Sequence, residues 1–366
     1  MAAVPALRTR LCELVGIEHP IVQTGMGWVA YPSLVAATSA AGGLGILASA
    51  TMDVAELRSS IAAVKEATDR PFGVNLRADA ADAAERIDLM GREGVRVASF
   101  AQAPTKELIA RAKDRGLVVI PSIGARRHAE KVAAWGVDAV LVQGGEGGGH
   151  TGQVPTTLLL PQVVDAVDLP VIAAGGFFDG RGLVAALAYG AAGIAMGTRF
   201  LLTSESPVGE EVKRFYLERS VTDTVVTRQV DGVPHRVLRT DLVDQLERSG
   251  RMRALARAAG NAVAFKRTVP GTTWRGMVGE GLAMRRSQDL SWSQVVMAAN
   301  TPMLLRAAMV DGRIDLGVMA SGQVVGVLDD LPSVAEVIDR IVRQAEDVLC
   351  RLAVAEDRRS TENAGG

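Results

Sequence analysis

The chain has 366 residues, of which 48% are hydrophobic, 39 are glycine and 4% are aromatic. It can bury a large core as one large domain with an appended piece or as two ordinary domains. With 40 basic and 41 acidic residues the net charge is −1, which excludes a global field that recruits nucleic acid or an anionic membrane. No apolar run approaches the roughly 18 to 20 residues that span a bilayer, no secretory pattern is visible, and Cys12 and Cys350 lack metal-ligand spacing. The expectation is a cytoplasmic protein with reduced thiols and neither a nucleic-acid nor a membrane partner.

From residue 20 to 200 short apolar runs alternate with amphipathic ones at intervals of roughly 20 to 25 residues. Strands are predicted at 21–23, 44–47, 72–76, 95–99, 118–121, 139–142, 171–174 and 193–196. Helical patterns lie between them at 33–41, 54–67, 83–92, 105–115, 126–135, 157–167 and 182–189. The strand runs are continuously apolar, as in parallel sheets covered on both faces. Gly94, Gly116, Gly136 and Gly190 follow helix ends, where a left-handed C-cap is wanted. Eight strand–helix units in about 180 residues predict an α/β fold of the TIM-type (β/α)8 kind. A doubly wound sheet wants an early G-x-G-x-x-G turn, which Gly42-Gly43-Leu44-Gly45 does not supply.

A barrel places its chemistry where strands end. Polar and glycine residues do follow the predicted strands: Gln23-Thr24-Gly25, Asn75, Ser99, Ser122, Gln143, Gly175-Gly176 and Gly197-Thr198. The last two loops suit a phosphate cradle of glycine amides at a helix N-terminus, with the Thr198 hydroxyl as a further donor. The most informative stretch is Gln143-Gly-Gly-Glu-Gly-Gly-Gly-His150-Thr-Gly152, in which five glycines precede a histidine at a strand end. Bare backbone there accepts a flat ligand, and the imidazole at its edge is suited to moving protons near neutral pH. Glu146 in this loop is a candidate to orient His150 or meet the ligand, a solvent-facing carboxylate being the alternative.

The segments Gln23 to Met26, Ala41-Gly-Gly-Leu-Gly45, Phe72-Gly-Val-Asn75, Gln143 to Gly152, Ala174-Gly-Gly176 and Met196-Gly-Thr-Arg-Phe200 resemble the nitronate monooxygenase family, also called 2-nitropropane dioxygenase-like. The likeness implies an FMN-binding barrel. It places the phosphate at Gly175, Gly176, Gly197 and Thr198, the ring system at Gln23, Gly25, Met26, Asn75, Gln143, Gly148 and Gly149, and His150 as the base. Gly322 and Gln323 match a segment that returns to the cofactor. Many family members carry a proline before the first-loop methionine; Thr24-Gly25-Met26-Gly27-Trp28 here implies a reshaped pocket with Trp28 beside the cofactor.

Beyond the barrel, expected at 1–204, residues 205–315 read as an inserted helical cap rich in arginine, and 316–366 as a segment returning to the barrel with a polar tail from about 355. Interspersed acidic residues make solvated ion-paired helix faces the usual explanation of the arginines; the alternative is recognition of a phosphorylated substrate. Trp274, Trp292, Met297, Met303 and Met309 are core or channel candidates, and Asn300-Thr-Pro-Met303 is expected to turn. Val230-Asp-Gly-Val-Pro-His-Arg-Val-Leu-Arg-Thr240, Trp292 to Asn300 and Gly322 to Asp330 resemble the actinobacterial branch of the family, which includes a flavin enzyme of steroid C/D-ring catabolism acting on a hydroxylated methyl-oxo-indane carboxyl-CoA thioester. That likeness implies a CoA-thioester partner and makes His235, Arg236 and Arg239 substrate candidates. It leaves open a dehydrogenase or reductase with NAD(H) as redox partner, a nitronate monooxygenase, and a non-catalytic FMN-binding barrel. No metal site is expected, and a homodimer is compatible with this reading.

Overall fold

A computed structural model describes residues 7–248 and 301–363. Eight parallel strands close into a barrel: β1 (Ile21–Gln23), β2 (Leu44–Ala48), β3 (Phe72–Leu76), β4 (Val97–Phe100), β5 (Val118–Ile123), β6 (Val140–Gln143), β8 (Val171–Ala174) and β9 (Gly193–Met196), with β9 pairing back onto β1. Every residue of β1, β2, β4, β8 and β9 is buried, as continuous apolar runs require. Side chains alternate between two cores. Val22, Ile46, Val97, Ile120, Leu141 and Ile172 point inward, whereas Ile21, Leu47, Val74 and Val142 pack against the helices. The short helix α1 (Arg10–Val15) adds Leu11, Cys12 and Val15 to the inner core. Cys12 is buried, Cys350 is exposed, and both are free thiols.

The outer layer is α2 (Pro32–Ala40), α3 (Val54–Ala67), α4 (Ala83–Glu93), α5 (Lys106–Asp114), α6 (Arg126–Ala134), α7 (Thr156–Val164) and α8 (Gly180–Ala188). In α3 an Asp53–Glu56 capping box starts the helix, and Leu57, Ile61 and Val64 bury one face at helical spacing. Each such buried aliphatic side chain contributes roughly 1.5–3 kcal/mol relative to exposure. The four helix-end glycines take φ of +73° to +87°, the left-handed geometry that residues with a Cβ resist.

After α9 (Thr198–Leu201) and α10 (Glu210–Leu217) the chain departs from the expected helical cap. Residues Thr224–Thr227 and His235–Leu238 form β10 and β11, an antiparallel pair, before α11 (Asp241–Arg248). The run Thr-Val-Val-Thr is β-branched throughout and suits a strand, and Asp231-Gly232 turns the chain back with Gly232 at φ +88°. Strand β11 also pairs with a two-residue strand, β7 (Gly149–His150), from the loop after β6. Val230, Val237, Val243, Leu246 and Val318 make a small core beneath this sheet.

Asn300-Thr-Pro-Met303 was expected to turn, but Thr301 opens α12 (Thr301–Met309). Pro302 sits in the first helical turn, where its missing N–H leaves no intrahelical bond unmade. The chain returns through a 3₁₀ turn (Gln323–Val327) to α13 (Val334–Asn363), which packs along α8. A Cβ on Gly180 would lie 2.4 Å from the Ile341 carbonyl oxygen, so the two backbones touch there. Among the described residues no helix is long and apolar enough to cross a membrane. Trp274, Trp292, Met297 and the cap's basic residues from Arg251 to Arg286 lie outside the described residues.

Candidate active site

A cavity of about 450 Å³ opens at the C-terminal ends of the barrel strands. Gly25, Met26, Trp28, Asn75, Gln143, Gly148, Gly149, His150, Gly175, Gly176, Gly197, Thr198, His235 and Gly322 all border it, so most of the predicted site residues meet in one place. Close approach explains several glycines. A Cβ on Gly25 would sit 2.4 Å from that of Asn75, and one on Gly148 would sit 2.5 Å from the Ser321 carbonyl carbon. Gly175 and Gly176 adopt φ of +97° and +84°, and the Gly176 amide finds no acceptor among the described residues. Thr198 Oγ1 accepts the Gly322 amide at 3.0 Å, which fixes the returning segment beside the end of β9. The result is a bare-backbone cradle at one end of a cavity whose other walls are Trp28, Pro302, Leu305 and Met309.

The loop after β6 holds its own shape. Gln143 Nε2 donates to the carbonyls of Gly148 (3.1 Å) and His150 (2.9 Å). Arg236 reaches across from β11 and donates from Nε (3.1 Å) and Nη2 (2.9 Å) to the Gly145 carbonyl, with Nη1 on Thr224 Oγ1. It borders a second opening of about 660 Å³ behind the loop instead of the main cavity.

His150 ends this loop. Its side chain is 56% open, and that surface faces the cavity. Behind it, Nε2 lies 2.6 Å from Oδ2 of Asp231, a carboxylate that is only 5% exposed. The Asp231 carboxyl sits far below the usual carboxylate range: burial opposes ionisation, but the hydrogen bond from His150 and the two neighbouring imidazoles outweigh it. Burial likewise works against protonated His150, yet the Asp231 hydrogen bond and charge prevail and raise its pKa, with Arg77 opposing. His235 is 2% exposed, and burial lowers its pKa. Its Nδ1 is 3.5 Å from Asp231 Oδ2, an ionic separation without hydrogen-bond alignment, since both ring nitrogens lack a hydrogen-bond partner.

His150, Asp231 and His235 bring their ligand-type atoms within 4.8 Å of one another. A 2.6 Å separation is that of a short charge-assisted hydrogen bond, tighter than two donors spaced around one ion at about 2.0–2.2 Å.

Like Arg236, four further residues singled out in the sequence lie off the main cavity. Gln23 is fully buried and does not border the cavity; its amide clamps β1 to β2 through the Ile46 N–H and carbonyl. The Glu146 carboxylate accepts from Thr156 N (2.9 Å) and Oγ1 (2.8 Å), satisfying the free end of α7 and not His150. Gln323 lies behind the loop, its amide on the Glu146 carbonyl at 3.0 Å. Arg239 pairs with Asp244 at 3.1 Å and borders neither opening.

Asp231 and the paired Arg77–Asp79 (3.0 Å) border the cavity and were not singled out in the sequence. Asp231 lies within the quoted Val230-Asp-Gly-Val-Pro-His run, so its signal was present without a stated role.

Residues 8–344 match the family model described as nitronate monooxygenase. The chain belongs to the nitronate monooxygenase family. It is an oxidoreductase, and the closed eight-stranded barrel is the fold expected from the sequence. It is 66% identical to a protein of Rhodococcus jostii (strain RHA1) named (3aS,4S,5R,7aS)-5-hydroxy-7a-methyl-1-oxo-octahydro-1H-indene-4-carboxyl-CoA dehydrogenase, over 93% of this chain and 96% of that one. A protein of Mycobacterium tuberculosis (strain ATCC 25618 / H37Rv) with the same name is also 66% identical, over the same shares. Among solved structures, FabK from Thermotoga maritima superposes with a TM-score of 0.79 at 34% identity, covering 95% of this chain and 99% of that one.

Proposed function

We propose that this protein is an FMN-dependent dehydrogenase that oxidises a CoA thioester between the carbons α and β to its carbonyl, with an acyl group of the hydroxy-methyl-oxo-indane type from steroid-ring catabolism. Two relatives at 66% identity carry that substrate class in their names and support this acyl group. The observation that carries the reading is the His150 ring, open to the cavity in front and hydrogen-bonded to a buried carboxylate behind.

The cradle fits FMN. Gly175, Gly176, Gly197 and Thr198 would hold its phosphate through backbone amides, with Gly322 closing the rear. Gly25, Met26, Asn75, Gln143, Gly148 and Gly149 would flank its ring system, where a Cβ on Gly25 or Gly148 has no room. When bound, FMN supplies the two-electron acceptor for the oxidation. NAD(H) is proposed as its redox partner, and a homodimer as the assembly.

The residues of the chain supply the proton chemistry. A hydrogen on the carbon next to a thioester carbonyl is acidic, and a positioned base contributes about 10² to 10⁴ in rate. His150 serves as that base in its neutral form. Because its pKa is raised, the neutral form accumulates at higher pH than for an ordinary imidazole, so oxidation gains rate as pH rises. The apolar wall of Trp28, Leu305 and Met309 suits a ring-bearing acyl group and keeps water from the reacting carbon.

The test is anaerobic. The purified yellow protein should bleach on addition of the indane-carboxyl-CoA thioester and recolour with NAD⁺. No bleaching by the thioester, together with oxygen-dependent turnover of propyl-1-nitronate, would replace this reading with nitronate oxidation. Colourless protein that releases no FMN would leave a non-flavin barrel.

A further inference from the structure

We infer that Asp231 is the positioning residue for His150: by accepting the Nε2 proton it presents Nδ1 as the atom that takes the substrate proton. The inference rests on the reading of His150 as base and names the atom, the tautomer and the partner through which that base works.

A carboxylate oxygen can only accept, so the 2.6 Å contact from Nε2 to Oδ2 places a proton on Nε2. In the neutral ring the lone pair is then on Nδ1, which has no hydrogen-bond partner among the described residues. The carboxylate is itself fixed, because Oδ1 accepts the Val233 amide at 3.2 Å. Exposure separates the two groups as the roles require: Asp231 is 5% open, behind the ring, and His150 is 56% open, in front of it.

The backbone enforces the pairing. His150 stands opposite His235 in the β7–β11 ladder, and the Thr151 amide extends it onto the Pro234 carbonyl. Asp231 sits in the turn that leads into β11, 81 positions from the ring it holds. A slip of one residue would invert every side chain of so short a strand, so register and dyad stand or fall together. His235 packs its buried ring 4.6 Å from that of His150, at 44°, and closes off the back of the imidazole.

Among the described residues, three groups with charge or protons face His150: Asp231 and His235 from the β10–β11 unit, and Arg77 from the loop after β3. Asp231 favours the imidazolium and Arg77 disfavours it; burial lowers the pKa of His235 and so disfavours its protonated form. In the step itself the C–H bond next to the carbonyl breaks, its electron pair delocalises onto the thioester oxygen, and an Nδ1–H bond forms. The imidazolium keeps its Nε2–H on Asp231, which stays ionised throughout.

The experiment compares holoenzyme carrying Asp231→Asn, Asp231→Glu or His150→Gln with the unaltered protein, and reads histidine tautomers by ¹⁵N NMR. The unaltered protein should show an Nε2–H resonance for His150. Asp231→Asn should keep stoichiometric flavin, lose about 10²- to 10⁴-fold in kcat/KM, and move the acidic limb of its pH profile to lower pH. Asp231→Glu should recover part of the rate. An Nδ1–H tautomer in the unaltered protein overturns the proposal even if no variant folds, and so does an unshifted pH profile in Asp231→Asn. If His150→Gln itself turns over normally, the base assignment falls instead. An inert His150→Gln beside a normal Asp231→Asn removes the role of Asp231 alone.

Discussion

The indole Nε1 of Trp28 donates to the carbonyl of Pro302 at 3.1 Å and so ties the first barrel loop to the first turn of α12. Trp28 is also the sole non-glycine residue with positive φ (+66°) among the described residues, and the Arg306 guanidinium lies 5.6 Å over its ring. A bulky residue in the left-handed region costs of order 1–3 kcal/mol and persists only where its surroundings hold it. Here the hold is the cavity wall itself.

Trp28→Ala should therefore leave FMN content unchanged while raising KM for the thioester about tenfold, the equivalent of 1.4 kcal/mol. Trp28→Phe keeps the ring and loses the donor, and should fall between the two. Steady-state kinetics with flavin quantified by absorbance checks both, and an unchanged KM in Trp28→Ala would remove the residue from substrate recognition.

His150→Ala should bind flavin stoichiometrically and lose at least about a hundredfold in turnover. Stopped-flow measurement of flavin reduction by the thioester isolates the chemical step from product release.

Gly197→Glu should yield colourless protein. A Cβ at this position would already lie 3.3 Å from Met26 Sδ and Thr24 Oγ1, and the carboxylate would repel the phosphate proposed to rest on this loop. Visible absorbance per mole of folded protein is the measurement. Full flavin occupancy would refute the cradle.

Arg199 Nη1 donates to Asp330 Oδ1 at 2.9 Å, and Arg340 from α13 meets the other oxygen, so this carboxylate joins α9 to the returning segment. Burial works against ionised Asp330, but hydrogen bonds from Arg340 and Arg199 outweigh it and lower its pKa. A lowered carboxylate pKa gives stability that is present above the unfolded value of about 3.9 and is lost as pH falls through the folded value. Asp330→Asn should cost about 1 kcal/mol at neutral pH, allowing for solvent screening of a partly open group. The gap in Tm between variant and unaltered protein should narrow below about pH 4; a constant gap would mean the charge contributes nothing.

The barrel was legible because its strands are buried on both faces and read as unbroken apolar runs such as Val171 to Ala174, with glycines marking helix ends. Strands β10 and β11 were not, since four residues such as Thr224 to Thr227 among arginine-bearing segments carry little periodic signal. The glycine–histidine loop pointed to the cavity, which it borders. Gln23 and Glu146 misled for one reason: polar groups at strand ends serve either a ligand or the protein's own backbone, and only packing shows that these two are spent on Ile46 and Thr156. Asp231 lies 81 positions from the ring it holds, a partnership that only register creates.

The ladder between Gly149–His150 and His235–Arg236 bears on how the molecule matures during synthesis. Translation at roughly 5–20 residues per second releases the strands through β9 before β11 has left the ribosome. A nascent chain at that stage holds the eight barrel strands, while the loop that ends in His150 still awaits its pairing strand and its carboxylate. The seating of the imidazole against Asp231 would then come last, after the eight strands of the barrel are complete.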